Sequence, residues 1–364
     1  MKKQLQLFLA LLIITALQSF AQSPNWLWAK SAGGTNDDYG KLLAIDAFGN
    51  VYMIGAFQGT VDFDPGAGTF NLTSVGSTDI FICKLDISGN FLWAKAMGGT
   101  ISDFGNSIAL DVSDNVYATG YFQGTVDFDP GAGVFNLTSA GSKDIFISKL
   151  DSTGNFIWAK SMGGISDNVA NSIVLDAFGN IYTTGVFSLT ADFDPGAGTF
   201  NLTSAGGNDI FISKLDSSGN FVWAKRMGAS GYDFGLSLAL DINGSGNINI
   251  TGGFEFTVDF NPGTGTFNLN SAGLRDIFIS KLDSAGNFLW AKAIGGTSND
   301  NVQSIKLDVL SNVYTTGEFQ GTTDFDPGTG TFNLNSAGSN DIFISKLNSS
   351  GNFVWAKRMG AASG

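Results

Sequence analysis

The stretch NSIALDVSDNVYATGYFQGTVDFDPGAGVFNLTSAGSKDIFISKLDSTGNFIWAKSMG, residues 106–163, decides the fold, because variants of it fill the chain after its first few dozen residues. Its tryptophan recurs at Trp28, Trp93, Trp158, Trp223, Trp290 and Trp355, with spacings of 65, 65, 65, 67 and 65 residues. The signature DFDPG begins at Asp62, Asp127, Asp192 and Asp324, and it returns as DFNPG at Asp259. A fixed period of this length means one supersecondary unit copied several times, each copy burying its apolar face against its neighbours.

Inside one unit, SIALD and NVYATGYF are short β-branched or aromatic runs joined by DVSDN, which other copies write as DAFGN at 46–50 and 176–180. DIFISKLD and NFIWAKSMG form a second pair, joined by an Asp-x-x-Gly-Asn turn at 151–155. In both turns Asp can accept from backbone N–H groups ahead of it, and Gly supplies a positive φ. Between the second and third runs lies TVDFDPGAGVFNLTSAG, which holds five of the six prolines in its five copies. Asp-Pro-Gly-Ala reads as a type II turn with Gly at positive φ, and the flanking TVDF and TFNL read as a two-stranded extension. With no helical periodicity after the leader, the fold class is all-β: a propeller of four-stranded antiparallel blades. The extension accounts for a period longer than the roughly 40–45 residues of an ordinary blade.

The halves SIALDxxxNVYATG and DIFISKLDxxGNFxWAK, with the GG-x-x-x-D-x-G link, resemble the SBBP β-propeller repeat of secreted bacterial proteins, and the first hairpin also resembles NHL repeats. The resemblance covers residues 26–364. It implies that SIALD lines the central channel and NFIWAK forms the outermost strand of each blade. It also implies an exported or cell-surface protein, whereas function stays open because propellers host binding, scaffolding and many chemistries.

Five complete repeats of about 65 residues are present, and the outer-strand sequence appears a sixth time around Trp28. Two readings follow: a propeller of six or more blades that the sequence cuts short at RMGAASG, or five blades with one surplus strand. Residues 1–21 have Lys2 and Lys3, an apolar run and a small-residue exit at Ala21, the layout of a signal peptide, leaving 22–364 as the repeat domain. That run is short of the roughly 20 residues a membrane span needs, and no transmembrane segment is expected in the mature chain.

The net charge of −13 deepens to −15 when Lys2 and Lys3 leave with the leader. Such an acidic protein argues against nucleic acid as a partner. The absence of histidine removes the commonest general base and the commonest metal ligand. Cys83, the lone cysteine, stands in a slot that other copies fill with serine, so no internal disulfide forms.

Three sets of residues are candidates for chemistry. The hairpin acids Asp62, Asp64, Asp127, Asp129, Asp192, Asp194, Asp259, Asp324 and Asp326 place carboxylates one residue apart beside a glycine bend. Hard oxygens in that pattern suit Ca²⁺, but the third acid and distal Glu of a full calcium loop are missing, and turn capping explains them without metal. The link acids Asp37, Asp38, Asp103, Asp167, Asp233 and Asp300 either ring one channel mouth or cap turns. Glu255 and Glu318, the only glutamates, sit at non-equivalent positions of adjacent units. A glycosidase or lyase would need two carboxylates in different environments, which near-identical repeats do not provide. The sequons at Asn71, Asn136 and Asn201 read as strand residues. The expectation is a monomeric, non-catalytic binding or structural module for an extracellular protein, glycan or polymer, with a secreted carboxylate enzyme or a fragment of a larger surface protein as alternatives.

Overall fold

The computed structural model describes residues 27–241 and 244–362, so the expected leader lies outside the described residues. The chain divides at residue 31 into two units. In the first, residues 27–30 carry no strand, which leaves the sixth copy of the outer-strand sequence without the strand expected of it. The second unit, from Ala32 onward, is all-β and propeller-like, and its described residues form five four-stranded blades.

Blade 1 comprises β1 (Tyr39–Ile45), β2 (Val51–Phe57), the hairpin β3 (Thr60–Asp62) and β4 (Asn71–Thr73), then β5 (Asp79–Leu85) and β6 (Phe91–Gly99). Blade 2 repeats this as β7 (Phe104–Leu110), β8 (Val116–Phe122), β9 (Thr125–Asp127), β10 (Asn136–Thr138), β11 (Asp144–Leu150) and β12 (Phe156–Gly164). In the other three the hairpin strands run on from the blade strands. Blade 3 is β13 (Asn168–Leu175), β14 (Ile181–Asp192), β15 (Asn201–Leu215) and β16 (Phe221–Met227). Blade 4 is β17 (Phe234–Leu240), β18 (Ile248–Asp259), β19 (Asn268–Leu282) and β20 (Phe288–Gly296). Blade 5 is β21 (Asp300–Leu307), β22 (Val313–Asp324), β23 (Asn333–Leu347) and β24 (Phe353–Met359). The SIALD-type strands form the inner edge, each packed on the next in the order β1, β7, β13, β17, β21, and the NFIWAK-type strands lie at the outer edge of their blades.

The turn chemistry follows the residues. Asp46 Oδ1 accepts from the backbone N–H groups of Phe48 and Asn50, and Gly49 takes φ 83°. Where the glycine is absent, Asp114 and Ser311 adopt φ 59° and 58° in its place. The DFDPG turn departs from expectation: its proline-following glycines, Gly66, Gly131, Gly196, Gly263 and Gly328, are not among the described positive-φ residues. The aspartate shapes this turn instead, since Asp64 Oδ1 accepts from Gly66 N–H at 2.8 Å and a Cβ on Gly68 would collide with the same carboxylate.

TVD and NLT pair as expected, with Asp127 opposite Asn136 and Thr125 opposite Thr138, which also places the three sequons in strands. At the kink before each hairpin, Gly59, Gly124, Leu189, Phe256 and Gly321 all hold φ between 58° and 74°. The backbone geometry there is thus constant even where the residue is not glycine. Neighbouring blades are stitched at the same level: Gly98 and Gly99 at the end of β6 pair with Asp127 and Val126 of blade 2.

The core lies between blades. One face of blade 1, with Tyr52, Ile54, Ile80, Ile82 and Met97, packs on Ile108, Val116, Phe122, Phe128 and Phe146 of blade 2, and this arrangement recurs at each following junction. Each blade carries a trio of phenylalanines. In blade 2, Phe128 from the hairpin meets Phe122 edge-on at 5.4 Å and Phe146 at 5.1 Å, binding the extension to strands two and three. The tryptophans also serve the junctions, as Trp93 packs against the blade 1–blade 2 cluster and donates to Ser152 O of blade 2 at 3.3 Å.

Candidate binding face and the acidic residues

At the end of the unit bearing the DAFGN-type turns, four of the five blades repeat one column of side chains. In blade 2, Lys149 lies 4.7 Å over the Tyr117 ring and 3.6 Å from Asp111, while Trp158 meets the same ring edge-on at 6.1 Å. Lys84, Lys214 and Lys346 sit over Tyr52, Tyr182 and Tyr314 in the same way. In blade 4 Asn249 replaces the tyrosine, donating to Asp241 at 2.9 Å beside a 2.8 Å Lys281–Asp241 ion pair.

Between consecutive columns the surface opens into grooves. One of about 390 Å³ is lined by Asp111, Val112, Tyr117, Lys149, Asp176 and Phe178. Its neighbour, of about 490 Å³, is lined by residues that include Asp176, Phe178, Tyr182, Lys214, Asp241 and Ser284. The turn tips flanking them are apolar and bare: Val112 is 97% exposed and Phe178 85%. The sequence reading missed this face. Its signal was present in the Asp and Lys that recur in all five copies and the Tyr that recurs in four, but only pairing of the second and third strands puts them in one column.

The hairpin acids act on the backbone. Asp62 Oδ1 accepts from Asp64 N–H at 3.0 Å and Phe70 N–H at 2.8 Å, and Asp127, Asp192, Asp259 and Asp324 do the same in their hairpins. Asp129, Asp194 and Asp326 repeat the bond of Asp64 to the glycine two residues on. Among the described residues no group of three or more Asp, Glu or Cys gathers as a metal-ligand set.

The link acids fasten each link to the blade that follows. Asp103 accepts from Gly99 N–H and Gln123 N–H at 2.9 Å, and Asp233 accepts from Ala229 N–H and Glu255 N–H. Asp38 does so from Gly34 and Gln58, whereas Asp37 accepts from the Tyr39 hydroxyl. Asp167 is different: it is half-exposed, pairs with Lys143 at 3.1 Å, and the buried position equivalent to Asp103 is held by Asn168.

Asp103, Asp233 and Asp300 each lie beside a second buried carboxylate at the start of a third strand, namely Asp79, Asp209 and Asp276. A Cβ on Gly98 would strike Asp79 and one on Gly295 would strike Asp276, so only glycine lets these acids sit against the link. The junctions differ in compensation. Arg226 pairs with Asp209 at 2.8 Å and Arg358 with Asp341 at 3.0 Å, but Ala96 and Ala293 occupy the arginine positions beside Asp79 and Asp276. Asp79 Oδ1 and Asp276 Oδ1 are buried without a hydrogen-bond partner, as is Asp209 Oδ1, whose other oxygen alone meets its arginine. Burial pushes Asp79 up to about 6 and Asp276 up to about 7, the nearby Asp300 charge adding to the latter. Asp103 rises to about 7, first from burial and then from the charge of Asp79.

The two glutamates do not form a pair with shared partners: Glu255 is held by Arg275 at 3.4 Å and by Tyr232 N–H, and Glu318 by Asn301. The Cys83 thiol is buried, and burial pushes its pKa up to about 12, so little reactive thiolate forms near neutral pH.

No family model matches the chain. Over 413 residues it is 27% identical to an uncharacterized WD repeat-containing protein, L264, of Acanthamoeba polyphaga mimivirus, covering 92% of this chain and 29% of that protein. Over 175 residues it is 26% identical to the regulatory protein FlaEY of Caulobacter vibrioides, covering 48% of this chain and 18% of that one. The chain thus spans less than a third of the length of either relative. Among solved structures, a protein of unknown function from Bacteroides caccae aligns at 8% identity with a TM-score of 0.30, covering 77% of this chain and 90% of that one, too loose a match to bear an argument.

Proposed function

We propose that the protein is a secreted or cell-surface propeller that binds its ligand without transforming it, the ligand being an extracellular protein or a glycan chain. The observation that carries this reading is the repetition of one groove, with the same Asp–Tyr–Lys column and a bare apolar tip, at successive blade junctions. Repeated sites at a fixed spacing suit a repetitive polymer, because several weak contacts made at once add in free energy. The leader-like residues 1–21 support export. The WD-repeat description of the mimiviral relative supports a repeat module over an enzyme. The near-equality of the blades adds to that, as catalysis by carboxylates asks for unequal environments.

The test is binding to arrayed glycans and extracellular matrix proteins, compared with Val112→Ser and Phe178→Ser variants. These tips are solvent-exposed, so folding is retained, and affinity for the captured ligand is expected to fall about tenfold. Unchanged binding by both variants, or conversion of the ligand into product, would defeat the reading.

Calcium at the hairpins belongs to the same proposal, with Asp127 and Asp129 as representative ligands. Millimolar CaCl₂ is expected to raise the melting temperature by several degrees over EDTA, and Asp127→Asn with Asp129→Asn to abolish the rise. Equal melts in both buffers would leave these acids as turn caps alone.

A further inference from the structure

Every blade buries an aspartate at the start of its third strand: Asp79, Asp144, Asp209, Asp276 and Asp341 are at most 4% exposed. Each accepts through Oδ2 the backbone N–H four residues earlier, at 2.7–2.9 Å. A glycine at the end of the fourth strand faces each carboxylate, and the side chain two residues before that glycine lies on the same face of the strand. That position decides how the charge is met. Arg226 and Arg358 reach Asp209 and Asp341 at 2.8 and 3.0 Å. In blade 2 the position is Ser161, but there Asn168 replaces the second acid, and its Nδ2 lies 3.4 Å from Asp144 Oδ1.

Blades 1 and 4 have neither arrangement. Ala96 and Ala293 stand in the arginine's place, while Asp103 and Asp300 keep the second buried acid. Among the described residues none of these four carboxylates has an ion pair.

We propose that the blade 1–blade 2 and blade 4–blade 5 junctions each bind one hard divalent cation of the calcium type, at Asp79 with Asp103 and at Asp276 with Asp300. The ion takes the place that an arginine head fills in blades 3 and 5, and its charge balances the two acids.

A separate sign of a ligand is the unmet oxygen. Asp79 Oδ1 and Asp276 Oδ1 are shut away from solvent with no donor, which is costly for a charged group unless a cation or a proton meets it. Asp209 Oδ1 also lacks a donor, but its carboxylate carries Arg226 on the other oxygen. Blade 5 shows what else a cation touches here: Arg358 Nη1 donates to Asp341 Oδ2 and to Asn335 O, both at 3.0 Å. Thr73 O and Asn270 O hold the equivalent place in blades 1 and 4. The Arg226 and Arg358 side chains are 36% and 35% exposed, so the position opens to solvent. With alanine there, water can complete the roughly six to eight oxygens that calcium takes. Two acids, a carbonyl and water make a weak site, of the class found in extracellular modules.

The test is a count of bound calcium on the full chain, by equilibrium dialysis at pH 8 and about 1 mM free Ca²⁺ after stripping with EDTA. Ala96→Arg combined with Ala293→Arg is expected to bind about two ions fewer per chain than the wild type. The hairpin acids are untouched in that variant, so calcium held by them drops out of the difference. Arg226→Ala should bind about one ion more, because it opens the same position beside Asp209 and Asp233. Circular dichroism checks that both variants are folded. An unchanged count in either folded variant would overturn the proposal, and so would a wild type that binds no calcium.

Discussion

Phe128→Ala is expected to lower the free energy of unfolding by about 3–5 kcal/mol, the range for deleting a buried phenylalanine. The size follows from what its ring touches. Phe128 is fully buried, meets Phe122 edge-on at 5.4 Å and Phe146 at a tilt at 5.1 Å, and belongs to the cluster joining blades 1 and 2. Its loss opens a cavity at a three-way contact between hairpin, blade and neighbouring blade, where little can collapse to refill it. Phe135→Ala is the control. Phe135 lies in the same hairpin but is 38% exposed and rests on Phe156 at 4.9 Å, so its loss should cost about 1 kcal/mol. Urea unfolding of both variants checks the pair. Equal costs would mean that the hairpins are appendages and that the phenylalanine trio does not tie them to the core.

The second large effect is an inverted pH dependence. Asp103 and Asp276, at about 7, and Asp79, at about 6, all hold their protons more tightly in the folded chain than in the unfolded one, where a carboxyl titrates near the ordinary value of 3.8. A raised folded-state pKa gives stability that is fully present below the unfolded value and is lost as pH rises through the folded one. Each tenfold gain in proton affinity is worth about 1.4 kcal/mol, so several kcal/mol should disappear between about pH 4 and pH 7. Acids held down, such as Asp151, act at a different pH. Burial works to raise it, yet Asn155 and Thr153 bonds bring it to about 2, and its contribution is lost only as pH falls towards that value.

The melting temperature is therefore expected to fall by several degrees from pH 5 to pH 8. Asp103→Asn and Asp276→Asn should flatten that slope. Ala293→Arg should raise the melting temperature more at pH 8 than at pH 5, because it supplies the partner that Arg226 gives Asp209. A melting temperature that climbs steadily from pH 5 to pH 8 would refute the account of these buried acids.

What the sequence by itself determined is everything that repeats locally. The 65-residue period, the four strands, the Asp-capped turns and the paired TVD and NLT segments are legible because each rests on residues close in the chain, with alternation and turn chemistry fixing them. The local reading erred where one residue can do another's work. The DFDPG glycine needs no positive φ because the Asp64 carboxylate shapes the bend, and Leu189 and Phe256 accept the kink that Gly124 fills in blade 2.

The tertiary structure alone decided which residues share an environment across blades. Asp103 and Asp79 are 24 residues apart, and only the stitch of Gly98 and Gly99 to the next hairpin buries them together. Within one blade, the pairing of β8 with β11 likewise sets Lys149 over Tyr117, 32 positions away in the chain. Equivalent residues in a repeat read alike in sequence, and whether a given copy is buried depends on having a neighbour to pack against, which is a property of its place in the assembly of blades.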